Sequence, residues 1–201
     1  MRAATLVVCL LVLSAGCIVQ TGGTGPDTAT PSTPERIDEK AETPTQPTTP
    51  SAREYDVKVS VIEDLVHRKM NERRVEHDLE PLNRSKKLDG IARYKSWDMA
   101  ERDYFAHTGP EGMTSAKLRK SFNSSCPNSG QNLHKRWIDA SHVKIQKQLS
   151  NEGEIATQAV NALMNSTGHR QNILDPAYEV QGIGVFVDEN GTVYLTQEFC
   201  G

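Results

Sequence analysis

The 201-residue chain lacks three features that would each indicate a class of protein. It has no run of about 20 apolar residues, which argues against a membrane-spanning helix. Residues 53–201 carry 20 Lys and Arg against 21 Asp and Glu, so no charge excess favours a nucleic acid or an anionic membrane surface as a partner. Cys126 and Cys200 have no close cysteine neighbour, which argues against a thiolate metal site.

The N-terminus has the composition of an export signal. Residues 3–14 are almost all apolar, follow Arg2 and run into Leu-Ser-Ala-Gly-Cys17. The small residues before Cys17 resemble the lipobox of prokaryotic lipoproteins, in which the cysteine becomes the lipid-modified first residue. We therefore predict a signal peptide at 1–16 and a membrane anchor through lipid on Cys17, which places the exported protein on the outer face of the cell membrane. An ordinary signal peptide, or a short anchor helix with an incidental cysteine, is the alternative.

Composition divides the rest of the chain in two. Residues 18–52 contain six of the ten prolines and nine threonines, with almost no large apolar side chains. Such a segment cannot bury enough surface to offset its ordering entropy, so it is predicted to be a disordered tether. Residues 53–201 have the length of one ordinary domain.

The number of cysteines left in the mature domain predicts one disulfide. Cys9 would leave with the signal peptide and Cys17 would carry lipid, so Cys126 and Cys200 remain. An even remainder in an exported chain favours a bond between the two.

Hydrophobic periodicity indicates helices first and a hairpin last. Helical spacing predicts helices over 55–77 and 88–103, and a third one carrying Ile155, Ala159 and Leu163. Alternation over 183–187 and 193–196, around the turn at 188–191, predicts a β-hairpin that a short strand at 131–137 could join. This order predicts an α+β domain whose antiparallel sheet is covered by helices.

Seven segments, in this order, resemble the CAP superfamily, also called the SCP domain. It comprises cysteine-rich secretory proteins, antigen 5 and plant pathogenesis-related proteins, with a large prokaryotic branch. Together the segments span nearly all of residues 59–200. They are Asn-Glu-Arg-Arg74 ahead of Leu-Glu-Pro-Leu82, Ser-Trp-Asp-Met-Ala100, Tyr-Phe-Ala-His107, Gly-Gln-Asn-Leu133, Met-Asn-Ser-Thr-Gly-His-Arg-Gln-Asn-Ile-Leu174, Gly-Ile-Gly-Val185 and Tyr-Leu-Thr-Gln-Glu-Phe199.

The resemblance implies a three-layer α-β-α sandwich with one concave cleft, lined in the family by two histidines and two acids. His107 and His169 match the two histidines. Gln131 stands where the family usually has a glutamate, and the stretch around Asn165 has no carboxylate where the second acid is expected. Lys95 stands where many members have another histidine.

This residue set limits the chemistry of the cleft. Two neutral imidazoles can bind Zn²⁺ or another divalent ion, but a firm site normally needs a third ligand. Gln131 is a poor zinc ligand, and its amide cannot act as a general base. Glu111, in the turn after His107, could supply a substitute carboxylate, although a glutamate in a turn is more often solvated. No cofactor is required, and weak metal binding by His107 and His169 is one alternative. The other is that both histidines are hydrogen-bonded structural groups.

Some polar residues are expected on the surface. Asn83, Asn123 and Asn190 begin Asn-x-Ser/Thr sequons and are glycosylation candidates, whereas the sequon at Asn165 is expected to lie too close to the cleft. The remaining histidines are also expected to be exposed, namely His67, His77, His134 and His142.

These observations predict an exported, lipid-anchored protein with a non-catalytic cleft. The cleft would bind a small ligand, a peptide or a glycan at the cell envelope. One alternative is a metal-assisted hydrolase of peptides or cell-wall polymers that uses His107 and His169. Another is a structural adhesion module in which the cleft has no ligand.

Overall fold

The computed structural model describes residues 57–138 and 151–201, which contain five α-helices and a four-stranded sheet. The three predicted helices and the predicted hairpin are confirmed, with ends that differ by a few residues. The helices are α1 (Val59–Val75), α2 (Lys86–Glu101), α3 (Ser115–Ser121), α4 (Asn151–Asn165) and α5 (Thr167–Ile173). The strands are β1 (Asn83–Arg84), β2 (Ser129–Trp137), β3 (Val180–Val187) and β4 (Thr192–Cys200).

The sheet is mixed rather than purely antiparallel, which corrects one detail of the prediction. Its strand order is β1-β3-β4-β2, and the three long strands pair antiparallel. The short strand β1 runs parallel to β3, with Asn83 opposite Val180. Two residues are too few for the alternation that reveals a strand in sequence, so β1 was not predicted.

Helix α2 covers one face of the sheet, and two glycines allow it to lie directly on β3. A Cβ atom at Gly184 would stand 2.0 Å from the backbone nitrogen of Arg93, and one at Gly182 would stand 2.3 Å from the carbonyl carbon of Leu88. Any larger residue at either position would therefore push the helix off the strand. The N-terminus of α2 is capped by Ser85, whose side chain accepts a hydrogen bond from the backbone of Leu88.

Helices α1 and α4 cover the opposite face with a continuous apolar core. The inward side chains of β3 and β4, including Ile183, Leu195 and Phe199, are fully buried against Ile62 of α1 and Leu163 of α4. Helices therefore lie on both faces of the sheet, which confirms the predicted α-β-α arrangement.

Polar side chains of α1 and α2 bind the backbone groups of β3 that lie beyond its pairing with β1. The carboxylate of Asp89 accepts a hydrogen bond from the backbone N–H of Ile183 at 2.8 Å, and that of Glu63 accepts one from Val185 at 3.1 Å. Both carboxylates are buried and also pair with arginines of the same region. The backbone groups that β1 leaves unpaired are thus satisfied by α1 and α2.

The predicted disulfide is present between Cys126 and Cys200. It joins the segment before β2 to the last residue of β4, at the end of the sheet where Ser129 pairs with Cys200. The bond therefore holds the segment before β2 next to the end of β4.

No helix within residues 57–138 or 151–201 combines the length and the apolar character needed to cross a membrane. The predicted signal peptide, Cys17 and the tether at 18–52 lie outside the described residues.

Candidate functional site

The candidate site lies at β2, the edge strand of the sheet. Successive side chains of a strand point to opposite faces. Gln131 therefore faces the side of α2 and α3, while Asn132 faces the side of α1 and α4. The imidazole of His107 contacts Gln131, and the backbone carbonyl of His169 contacts Asn132, so both residues lie next to this edge strand.

A chain of hydrogen bonds connects His107 to a buried ion pair. Nδ1 of His107 lies 2.9 Å from Oε1 of Gln131, and Nε2 of Gln131 donates to Oε1 of Glu198 at 2.5 Å. Nη1 of Arg119 donates to Oε2 of Glu198 at 2.6 Å, and the Ser115 hydroxyl also donates to this carboxylate. Gln131 and Glu198 are directly opposite residues of β2 and β4. Their register thus places the carboxylate of Glu198 directly beside the Gln131 amide.

Burial is the largest influence on the pKa values of two ionisable groups in this region, Glu198 and Lys95. The side chain of Glu198 is fully buried, and this burial raises the pKa of its carboxyl, while hydrogen bonds from Gln131 and the charge of Arg119 oppose the change. Burial also lowers the pKa of the Lys95 amine to about 8. Lys95 donates to the hydroxyl of Tyr104 at 3.0 Å, so it extends this polar layer along α2.

A second network of amides holds His169. The side chain of Asn132 donates to the backbone carbonyl of His169 and to Oε1 of Gln197, both at 3.1 Å. Asn172 donates to Oδ1 of Asn132 at 2.8 Å, and Gln197 donates to Oε1 of Gln181 at the same distance. Asn132, Gln181 and Gln197 are fully buried, and each uses both ends of its amide. This row of amides crosses β2, β4 and β3 and fixes α5 against the sheet.

The charge of His107 affects the pKa of His169. Burial lowers the pKa of the half-buried His169, and the charge of a protonated His107 lowers it further. His134, which we predicted on the surface, is half-buried on β2. Its burial, together with the charges of Arg136 and His169, lowers its pKa to about 4. His67 is also half-buried, whereas His77 is exposed as predicted and His142 lies outside the described residues.

Within the described residues, Asn165 and Glu111 make no hydrogen bond to His107, Gln131, Asn132 or His169, and their place in the cleft stays a prediction. Asn165 lines a pocket with Arg170 and Leu174. By the helical repeat, residues 167, 170, 171 and 174 of this pocket share one face of α5. The exposed carboxylate of Glu111 pairs with Arg102 at 2.8 Å.

The donor set does not fit a zinc site. His107 and His169 supply two imidazoles, and Gln131 is engaged by His107 and Glu198. Both oxygens of Glu198 already accept hydrogen bonds, from Gln131, Ser115 and Arg119. Within the part of the chain that the structure describes, no group of three or more His, Cys, Asp or Glu residues could hold one metal ion. Zinc sites normally use at least three protein ligands.

The glycosylation candidates stay predictions. The side chains of Asn83, Asn123 and Asn190 are exposed, as an acceptor residue must be. Asn165, the last residue of α4, is exposed as well.

Sequence reasoning missed Glu198, although one signal was present. It is a charged residue in β4, where every other residue from 192 to 199 is uncharged and buried. A charge in such a strand needs a partner. Arg119 could not be named as that partner, because α3 was not predicted.

The fold and the site define an α+β sandwich domain with two histidines at one edge of the sheet. A sequence profile of the cysteine-rich secretory protein family, the CAP family, matches residues 67–199. The chain belongs to this family.

One relative of this chain comes from a bacterium. The chain is 34% identical over 143 residues to the uncharacterized protein YkwD of Bacillus subtilis (strain 168), covering 71% of this chain and 48% of that protein. It therefore spans about half the length of this relative.

Two solved structures share the fold. One is an extracellular protein containing an SCP domain from Bacillus anthracis, with a TM-score of 0.56 and 23% identity over 78% of this chain and 45% of that chain. The other is an outer surface protein of Borrelia burgdorferi, with a TM-score of 0.59 and 15% identity over 72% of this chain and 95% of that chain.

Proposed function

We propose that this protein is an exported CAP-domain protein that binds a ligand at the cell envelope without catalysing a reaction. The ligand is a small molecule, a peptide or a glycan, and it binds at the edge of β2 between His107 and His169. Lipid on Cys17 anchors the protein to the outer face of the cell membrane.

This proposal rests on the orientation of the Glu198 carboxylate. Glu198 is fully buried, points toward Arg119 and Ser115, and is separated from His107 by Gln131. A general base must reach the proton that it removes, and a neutral amide does not titrate near neutral pH. The cleft therefore presents imidazole and amide groups, which suit hydrogen bonding to a ligand better than hydrolysis.

Three observations support export. The disulfide between Cys126 and Cys200 is typical of an oxidising compartment. The relatives of known structure include an extracellular protein and an outer surface protein. The sequence before Cys17 has the build of a lipoprotein signal. Mass spectrometry of the mature N-terminus tests the anchor, since a mature chain that does not begin at a lipid-modified Cys17 would contradict it.

Binding at the cleft is tested by mapping chemical shifts. We expect chito-oligosaccharide or a tri-alanine peptide, added to the ¹⁵N-labelled full-length chain in mild detergent, to shift amides around His107, Gln131 and His169. His107→Ala should weaken this binding at least about tenfold, which corresponds to the net worth of one buried polar contact. His77→Ala is the matched control, because His77 is an exposed histidine whose ring contacts Arg73 and Arg170 rather than Gln131 or Asn132. Shifts that persist unchanged in both His107→Ala and His169→Ala would contradict binding at this site.

A further inference from the structure

The hydrogen bonds behind His107 have a fixed direction that begins at the buried end. A guanidinium group can only donate, and Arg119 lies 2.6 Å from Oε2 of Glu198 with only 6% of its surface exposed. The charge of Arg119 and the hydroxyl of Ser115 both favour the ionised form of Glu198. Glu198 is therefore an acceptor at both oxygens.

This acceptor sets the orientation of the Gln131 amide. Only the NH₂ end of an amide can donate to a carboxylate, so Nε2 of Gln131 faces Glu198 at 2.5 Å. Rotating the amide by half a turn would place two acceptor oxygens against each other in a buried site, which is unfavourable. Oε1 of Gln131 consequently faces Nδ1 of His107 at 2.9 Å.

An amide oxygen next to a ring nitrogen requires that nitrogen to carry the proton. We infer that Glu198 is a positioning residue of the cleft, which acts through Gln131 to hold neutral His107 in the Nδ1–H tautomer. In this tautomer Nε2 has a free lone pair and offers a hydrogen-bond acceptor to the ligand.

The inference rests on the proposed binding function and names the chemistry of its ligand. A ligand that contacts His107 must supply a hydrogen-bond donor, which is a hydroxyl group of a glycan or an N–H group of a peptide. His107 is exposed, so a ligand can reach it. Phe105 and Met113, on the same loop, are apolar side chains that are 46% and 38% exposed.

The tautomer can be measured directly by long-range ¹H–¹⁵N correlation spectra of the full-length chain at about pH 8, where an ordinary imidazole is neutral. The expected result is a protonated, pyrrole-type Nδ1 and a pyridine-type Nε2 for His107. This is a distinctive outcome, because a histidine side chain in water favours the Nε2–H tautomer. A wild-type spectrum with the proton on Nε2 would overturn the inference before any variant is made.

Variants separate positioning from general stability. Glu198→Gln removes the obligatory acceptor, so His107 should move to a majority of the Nε2–H form. Ser115→Ala disturbs the same cluster but keeps the carboxylate and Gln131, and His107 should keep the Nδ1–H form. An Nδ1–H form that survives in Glu198→Gln would overturn the role of Glu198. If that variant does not fold, Gln131→Leu tests the same link and should give the same change of tautomer.

Adding each probe to the wild-type protein tests this inference separately from the proposed function. Chito-oligosaccharide and tri-alanine peptide are added separately, and the ¹⁵N shift of Nε2 is followed in the wild type. A change in the ¹⁵N shift of Nε2 with one probe supports a ligand that donates a hydrogen bond to His107. It also identifies whether a glycan or a peptide supplies that donor. With the Nδ1–H tautomer present but Nε2 unaffected by either probe, the positioning role stands and the proposed binding chemistry fails. If a probe binds while His107 is in the Nε2–H form, the proposed binding function stands and the positioning role of Glu198 fails.

Discussion

Replacing Arg119 by methionine is expected to destabilise the domain by about 3–5 kcal/mol at neutral pH, the range found when one partner of a buried ion pair is removed. The reason is that Glu198, which is fully buried, would lose the positive charge that compensates it. The remaining donors, Gln131 and Ser115, are neutral. The free energy of unfolding, measured by urea denaturation, reports this loss.

The destabilisation should depend on pH in a defined direction. Burial raises the pKa of Glu198 in the folded protein, and loss of Arg119 removes an opposing effect. A carboxyl whose folded pKa is raised contributes full stability below its unfolded pKa of about 4.3, and that stability is lost as the pH rises through the folded pKa. The effect of Arg119→Met should therefore be small near pH 4 and large near pH 7.5. Equal effects at the two pH values would contradict a buried, charged Glu198.

Two further variants identify the cause. Lys120→Met removes the same charge from an exposed position on α3 and should change the free energy of unfolding by less than about 0.5 kcal/mol. Arg119→Met combined with Glu198→Gln should recover a measurable part of the loss, because the second change removes the uncompensated charge.

Loss of the disulfide is expected to cost about 4 kcal/mol on a chain-entropy estimate for the 74 residues that separate Cys126 from Cys200. In Cys126→Ser/Cys200→Ser the unfolded chain regains the freedom that the bond removes. The bond also lies next to the site, because the pair Ser129–Cys200 precedes the pair Gln131–Glu198 in the ladder between β2 and β4. Faster hydrogen exchange at Gln131 should accompany the loss of stability.

The matched control for the disulfide is the wild-type chain under reducing conditions. It should unfold at the same urea concentration as the double serine variant. Two free thiols in the freshly isolated native protein, or a double variant as stable as the oxidised wild type, would contradict the account.

The fold could be predicted where periodicity is strong. Helix α4 buries Ile155, Ala159 and Leu163 on one face, so its pattern is unmistakable. The hairpin was marked by its turn at 188–191. Helix α3 has seven residues, five of them polar or charged, and it depends on tertiary contacts that the pattern does not contain. The parallel pairing of β1 involves two residues and has no periodicity.

The site could be predicted only in part, because its key contacts depend on strand register. The resemblance to the family located His107, Gln131 and His169, and the structure connects the first two directly. Glu198 acts through its position opposite Gln131 in the neighbouring strand, which requires knowledge of the pairing. Asn165 was expected beside the histidines, and its place in the cleft stays a prediction; in the structure it ends α4 and lines a pocket with Arg170 and Leu174.

The central proposal is that this site, whose carboxylate Glu198 lies behind the Gln131 amide, binds a ligand and does not hold a catalytic metal. Isothermal titration of the full-length chain with Zn²⁺ tests this claim most directly. The account predicts affinity of roughly millimolar or weaker, a binding free energy of only about −4 kcal/mol, that is unchanged in His107→Ala and His169→Ala. Stoichiometric zinc binding in the micromolar range that is lost in either variant would contradict it and would favour the metal-assisted hydrolase.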